Sequence, residues 1–212
     1  MSEEKHGGSL IVLSGPSGAG KSVLADYALR TLPDIKFSIS YTTRAPRGHE
    51  RDGVEYFFTD RPKFESLIKA GEFLEWAEVH GNYYGTSRIF IDGFLGQGNN
   101  VILDIDVQGA HTVKKTRPGA VMVFVLPPSF DALRERLFRR GLDDAGVIEK
   151  RLKIARDEIS YYEDYDYLII NDDLENAERE LAAIIISARC RKKVRMNAAA
   201  SILKHFGGTI DV

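Results

Sequence analysis

The sequence predicts an α/β protein: a parallel sheet flanked by helices, interrupted by an inserted, mostly β segment. Three observations carry that expectation. Residues 10–13, 101–104, 121–125 and 167–170 are short, compact apolar runs, the pattern of strands buried on both faces. Helix-compatible stretches alternate with them, as parallel strands joined by crossover helices require. Between the first two runs, residues 35–59 alternate apolar and polar residues and are broken by Pro46, Gly48 and Gly53, which marks an insertion.

In chain order, residues 10–13 form the first buried strand and end in a Gly-rich turn. A helix follows from about residue 21 to residue 32, closed by Pro33. Residues 35–59 fit short antiparallel strands and turns. Residues 61–70 fit a short helix, residues 73–84 a strand and hairpin with Gly81-Asn82 as turn material, and residues 87–95 a helix. Residues 101–104 and 121–125 are the second and third buried strands. Residues 131–140 are helical, 141–146 are rich in breakers, and 147–162 form a long helix with apolar residues at helical spacing. The fourth apolar strand, 167–170, ends at Asn171-Asp172-Asp173, and residues 174–186 form a closing helix. The last residues carry Arg189, Arg191, Lys192, Lys193 and Arg195, a pattern that suits a solvated helix end better than a phosphate- or partner-binding patch. No internal repeat or low-complexity segment interrupts this order.

A chain of 212 residues suits one domain with a small inserted subdomain and buries a core without disulfides or metals. Its 29 Lys and Arg against 31 Asp and Glu give a formal charge of −2, which supplies no electrostatic case for nucleic-acid binding. The lone Cys190 makes neither an internal disulfide nor, by itself, a metal site, and points to a reducing compartment. No apolar run approaches the ~20 residues that span a bilayer, and residues 1–8 lack the apolar core of a secretory signal. A cytoplasmic location is the expectation. The five histidines show no metal-ligand spacing.

Gly15-Pro16-Ser17-Gly18-Ala19-Gly20-Lys21-Ser22 matches the G-x-x-x-x-G-K-[ST] phosphate loop in full. Its glycines let successive backbone N–H groups turn toward phosphate oxygens, and the following helix N-terminus adds partial positive charge. Lys21 is expected at the β/γ-phosphates of ATP and Ser22 at Mg²⁺. Chance would produce the pattern in about one chain in a hundred of this length, and the strand before it and helix after it satisfy its context. The fold class is therefore a P-loop NTPase-type parallel sheet. The motif alone leaves kinase, GTPase and motor open.

Ser40, Arg44, Arg47, Tyr56, Glu75, Tyr84 and Thr86 form an unusual polar set within the insertion. Two arginines and two tyrosines suit a dianionic phosphate, although a solvated edge with ordinary ion pairs fits the spacing equally well. Guanine presents N1–H and N2–H₂ as adjacent donors beside the O6 acceptor. Glu75 suits both donors, while Ser40 or Thr86 suits O6. Adenine has a lone pair where guanine has N1–H, and a site built for the donor rejects the analogue lacking it. Asp104 and Asp106 close an apolar strand, where such residues hold metal through water in P-loop enzymes or cap the next helix. Asp104 is assigned to the metal side and Asp106 to guanine. Asn171 suits either the adenine neighbourhood or capping of the next helix.

These blocks resemble guanylate kinase. The resemblance is carried by residues 13–22, 40–47 (Ser-Tyr-Thr-Thr-Arg-Ala-Pro-Arg), 73–78 (Phe-Leu-Glu-Trp-Ala-Glu), 81–85, 103–109 and 167–173, in the family's order and spread over about residues 8–188. It implies transfer of the γ-phosphoryl of ATP to GMP, and dGMP, with Mg²⁺ as cofactor, in purine nucleotide metabolism. It implies GMP-binding positions at Ser40, Arg44, Arg47, Tyr56, Glu75, Tyr84, Thr86 and Asp106, with the arginines and tyrosines around the phosphate. Thr86 stands where many members carry Ser, and the hydroxyl is kept. Arg136, Arg139, Arg140 and Arg151 flank the breaker-rich 141–146 and alone would suit a solvated helix face; the resemblance makes Arg136, Arg140 and Arg151 arginines of a helical lid. Residues 142–147 depart from the family's usual acidic and Ser/Thr-rich lid tip.

The expected organisation is a polar tail over residues 1–7, a domain over 8–188 with a nucleoside-monophosphate-binding insertion at about 40–98 and a lid at about 134–155, and an extension over 189–212. Catalytic roles fall to Lys21, Arg44, Arg136, Arg140 and Arg151. Rival functions are an inactive phosphopeptide-binding module of the same fold, which would tolerate a degraded phosphate loop, and a sugar-phosphate kinase, which has no use for guanine readers. Monomer and homo-oligomer stay open.

Overall fold

The computed structural model describes residues 7–79, 81–139 and 145–207. Its centre is a five-stranded, all-parallel sheet in the order β2-β7-β1-β8-β9. The strands are β1 (Leu10–Ser14), β2 (Ile35–Phe37), β7 (Asn100–Asp104), β8 (Val121–Leu126) and β9 (Tyr167–Ile170). All five residues of β1 are buried because the strand is central and covered on both faces. Ile11 and Leu13 point into one core with Leu24, Ala28, Leu181 and Ile185, supplied by α1 (Lys21–Thr31) and α7 (Leu174–Arg189). Leu10 and Val12 point into the other, with Ile91, Ala110 and Val113 from α3 (Arg88–Gly96) and α4 (Val107–Thr116). The period-two alternation of a strand thus divides one apolar run between two cores.

A second sheet, in the order β4-β3-β6-β5, is built from the insertion. It comprises β3 (Ser40–Thr42), β4 (Tyr56–Phe58), β5 (Phe73–Val79) and β6 (Asn82–Ser87), with α2 (Arg61–Lys69) between β4 and β5. The expectation of antiparallel strands over residues 35–59 is corrected here. β2 leaves the insertion and pairs parallel with β7 in the central sheet, and β3 pairs parallel with β4. A parallel pair needs a connection of about a dozen residues, and residues 43–55, broken by Pro46, Gly48 and Gly53, supply one. The hairpin β5–β6 is antiparallel as expected, with a register shift between Phe73 and Glu75.

Beyond β8 run α5 (Phe130–Arg139) and α6 (Ala145–Ile159). They share a core of their own, formed by Leu133, Leu137, Ile148, Leu152 and Ala155. The helix expected over 147–162 begins earlier, takes in Gly146, and tightens into a 3-10 turn over Ser160–Asp164. Caps follow the sequence: Asp60, Asp106 and Asp173 each accept a backbone N–H of the helix they precede. The C-terminal residues form α8 (Lys192–His205), held by buried Val194 and by the Lys193 Nζ bond to the Gly119 carbonyl, with Lys192 and Arg195 exposed. Among the described residues no helix is long and apolar enough to cross a membrane.

Candidate active site

The phosphate loop joins β1 to α1 at the C-terminal end of the central sheet, where the open crevice of such sheets lies. Two glycines are there because nothing larger fits. A Cβ on Gly15, at φ 130°, would lie 2.3 Å from the Val125 carbonyl, and one on Gly20, at φ 102°, would lie 2.2 Å from Asn171 Nδ2. Lys21 Nζ donates to the Gly15 carbonyl at 2.7 Å and the Pro16 carbonyl at 3.3 Å, so the ammonium lies across the loop it serves. Asn171, 4% exposed, donates Nδ2 to the Ala19 carbonyl at 2.7 Å. It straps the loop to the end of β9 and caps nothing; Asp173 caps α7.

Asp104 and Asp106, two residues apart, face different partners. Asp104 Oδ2 accepts the Ser22 hydroxyl at 2.9 Å, and its Oδ1 lies 3.9 Å from Lys21 Nζ. Asp106 Oδ1 accepts the Gly109 N–H at 2.8 Å and caps α4, so the capping alternative holds for Asp106 and not for Asp104. Among the described residues no cluster of three or more His, Cys, Asp or Glu could hold a metal by itself. The Ser22 hydroxyl and the Asp104 carboxylate are hard oxygen donors, and they fit a Mg²⁺ that takes its remaining ligands from water and substrate phosphates.

A cleft of about 270 Å³ runs from the phosphate loop to the second sheet, lined on the far side by Ser40, Tyr56, Glu75 and Tyr84. Glu75 and Thr86 are direct cross-strand partners on β5 and β6. Glu75 is 5% exposed, Thr86 is fully buried, and the Thr86 hydroxyl donates to Glu75 Oε1 at 2.5 Å. Burial in this wall pushes the Glu75 carboxyl up to about 7, and nearby Asp106 adds to the rise. With the Thr86 hydroxyl committed to Glu75, Ser40 supplies the aliphatic hydroxyl on this wall of the cleft.

Arg44 stacks over Tyr56 with its guanidinium carbon 5.3 Å from the ring centroid, and the Tyr56 and Tyr84 rings meet edge to face at 6.0 Å. Burial raises the Tyr56 phenol, which keeps it a neutral donor. Arg44 NH2 is paired with Glu50 Oε1 at 2.9 Å, and Glu50 Oε2 accepts the Arg47 N–H at 2.7 Å. Glu50 therefore ties the two arginines together, although the Arg47 side chain is exposed. Glu50 lies outside the polar set legible in the sequence; its spacing three and six residues from Arg47 and Arg44 is the signal that points to it.

The remaining wall is α6, which presents Arg151, Ile154 and Glu158 to the cleft. Glu158 is also outside that set. It lies seven residues after Arg151, on the same helix face, a polar spacing that the apolar periodicity of α6 does not reveal. Burial holds its carboxyl up at about 7, while nearby Lys21 and the Ser17 backbone pull it down. Arg136 does not share this cleft. It donates to the Asn171 carbonyl at 2.7 Å and, with Arg139, lines a separate hollow beside Gly18 and Gly20. Arg140 lies outside the described residues.

Comparison with known proteins adds three findings. The sequence model of the family described as guanylate kinase matches residues 7–188. The chain is 46% identical over 190 residues to a guanylate kinase of Desulfitobacterium hafniense (strain Y51), covering 90% of this chain and 95% of that one. It is 49% identical over 188 residues to a guanylate kinase of Carboxydothermus hydrogenoformans, covering 89% and 92%. Its structure is similar to the crystal structure of guanylate kinase from Anaplasma phagocytophilum, with a TM-score of 0.77, 33% identity, and coverage of 95% and 97%.

Proposed function

The chain belongs to the guanylate kinase family, and we propose from that premise how its residues divide the work of an ATP:GMP phosphotransferase. The protein transfers the γ-phosphoryl group of ATP to GMP, giving ADP and GDP. The observation that carries the assignment of roles is the buried Glu75–Thr86 pair facing the phosphate loop across a single cleft.

ATP phosphates bind the backbone amides of residues 15–22, with Lys21 at the β/γ-phosphates and Asn171 keeping the loop in shape. GMP binds the opposite wall. Glu75 accepts the guanine N1–H and N2–H₂, Ser40 faces O6, Asp106 borders the base, and Arg44, Arg47, Tyr56 and Tyr84 hold the phosphate. Ser22 and Asp104 would hold a Mg²⁺ arriving with ATP, which would supply neutralisation of the phosphate charge. In the transfer a GMP phosphate oxygen attacks γ-phosphorus in line, and the bond from γ-phosphorus to the β,γ-bridging oxygen breaks. The acceptor is already anionic, so no general base is needed. Positioning and charge neutralisation supply the acceleration, through Lys21, Arg44 and Arg151, with Arg136 and Arg140 joining from the lid. Residues 8–188 form the catalytic unit, with the acceptor-binding insertion at about 40–98 and the lid at about 134–155.

The complete phosphate loop argues against a binding module without turnover, and the buried base reader argues against a sugar-phosphate kinase. A panel of GMP, dGMP, AMP, UMP and ribose bisphosphate, assayed for ADP release with ATP and Mg²⁺, tests the assignment. GMP and dGMP are the expected acceptors. Preferential turnover of AMP or ribose bisphosphate would remove Glu75 from its role.

A further inference from the structure

We infer that Gly109 is a specificity-determining position for the purine base, because the missing Cβ on α4 is the space in which the Glu75 carboxylate sits. The inference rests on the assignment of Glu75 as guanine reader. A Cβ built on Gly109 would lie 2.6 Å from Glu75 Oε2 and 3.2 Å from its Cδ. Real Cβ atoms do not approach that closely, so something must move.

The backbone gives no other reason for glycine here. Gly109 is not among the residues at positive φ, and it lies inside α4, where glycine is the poorest helix former after proline. Its cap bond to Asp106 uses the backbone N–H, which any residue except proline supplies.

The carboxylate has little room to give way. Oε1 is bound to the Thr86 hydroxyl at 2.5 Å, and both residues are buried in the wall between β5 and β6. The open direction is the cleft that Glu75 lines, which is the space the base must occupy. A methyl group at 109 therefore drives the reader toward its ligand and spoils the two-point contact. Because the atom displaced is the far end of a side chain, the fold absorbs the change while the base contact does not.

The test compares Gly109→Ala, Glu75→Gln, Glu75→Asp and the Gly109→Ala/Glu75→Asp double variant. Melting temperature and steady-state kinetics with ATP, GMP and IMP are measured; IMP keeps O6 and N1–H but lacks the 2-amino group. Gly109→Ala is expected to keep or raise Tm and leave the ATP KM within about twofold. Its GMP KM should rise about tenfold or more, the loss expected when one charge-assisted hydrogen bond is mis-set. Its preference for GMP over IMP in kcat/KM should fall. In the Glu75→Asp background, where the shorter side chain clears residue 109, the same substitution should change the GMP KM by less than about twofold.

Wild-type GMP kinetics in Gly109→Ala would overturn the inference, and so would an equal loss in both backgrounds. A Gly109→Ala protein that fails to fold overturns it as well, since the strain must fall on a side chain. Glu75→Gln separates the two levels. If it leaves the GMP-over-IMP preference intact, the assignment of Glu75 fails. If it abolishes the preference while Gly109→Ala does not, only the role of Gly109 fails.

Discussion

Glu75 is a carboxylic acid placed where the fold would be more stable without its charge. Its folded-state value of about 7 lies above the ordinary 4.5, so the folded protein holds this proton more tightly than the unfolded chain does. The stability contributed by the protonated form is present below about pH 4.5 and is lost as the pH rises through 7. The full shift corresponds to about 3 kcal/mol as a ceiling. Glu75→Gln carries no such penalty. Its Tm relative to wild type should increase between pH 4.5 and 7 and level off above; an offset that is the same at pH 5 and pH 8 would contradict this. In the proposed pose bound guanine reverses the preference, because its two donors favour the carboxylate. GMP must then expel a proton below about pH 7, and the GMP KM should rise as the pH falls, by at most about tenfold per unit. The GMP phosphate, with its own second pKa of about 6, titrates equally against both proteins. The difference between the wild-type and Glu75→Gln profiles therefore isolates Glu75, and parallel profiles would exclude it.

At the scale of elements, the phosphate loop owes its shape to a neighbour more than 150 residues away in sequence. The Asn171 amide fills the space left by the missing Cβ of Gly20 and bonds the buried Ala19 carbonyl. Asn171→Ala should cost about 1–3 kcal/mol of stability, the penalty for an orphaned buried acceptor. The ATP KM should rise with the GMP KM unchanged, as steady-state titration of each substrate would show; equal losses for both would mean a global defect. Long-range contacts of this kind mark the boundary of what could be foreseen. The four apolar runs and the loop after the first are local patterns, and each appears as an element within a residue or two. The pairing of β2, β3 and β4, three residues each, is not local, because strands so short take their direction from whichever edge receives them. Site residues followed the same division. Ser40, Glu75, Tyr84, Asp104 and Asp106, all within motif blocks, line the cleft with the phosphate loop, whereas Arg47 is exposed, Asn171 braces the loop from the end of β9, and Glu158 and Glu50 emerge only when a helix face or a loop is placed against another element.

Across the whole molecule, three apolar cores stand apart among the described residues, and their separation should make the two proposed nucleotide sites separable. Two cores lie on opposite faces of the central sheet, and the third joins α5 to α6 with residues of its own. That third core backs the phosphate loop at Gly18: the Cβ missing there would lie 2.9 Å from Leu133 Cδ1 and 3.1 Å from Leu137 Cδ2. The same two helices carry Arg151, which lines the cleft, and Arg136, which lines the hollow beside Gly18 and Gly20, so their packing both backs the phosphate loop and sets where these cations stand. Leu137 is 2% exposed, and Leu137→Ala should remove about 2–5 kcal/mol from the packing of this pair. The consequence should be selective. A non-hydrolysable ATP analogue should lose affinity as Gly18 loses its backing, and kcat should fall with it. Calorimetric GMP affinity should stay near wild type, because the proposed base and phosphate contacts lie on the second sheet, in the loop between β3 and β4 and at the head of α4, away from α5 and α6. If GMP weakens in proportion to ATP, the third core is not a separate unit, and the substitution has loosened the central sheet that both sites share.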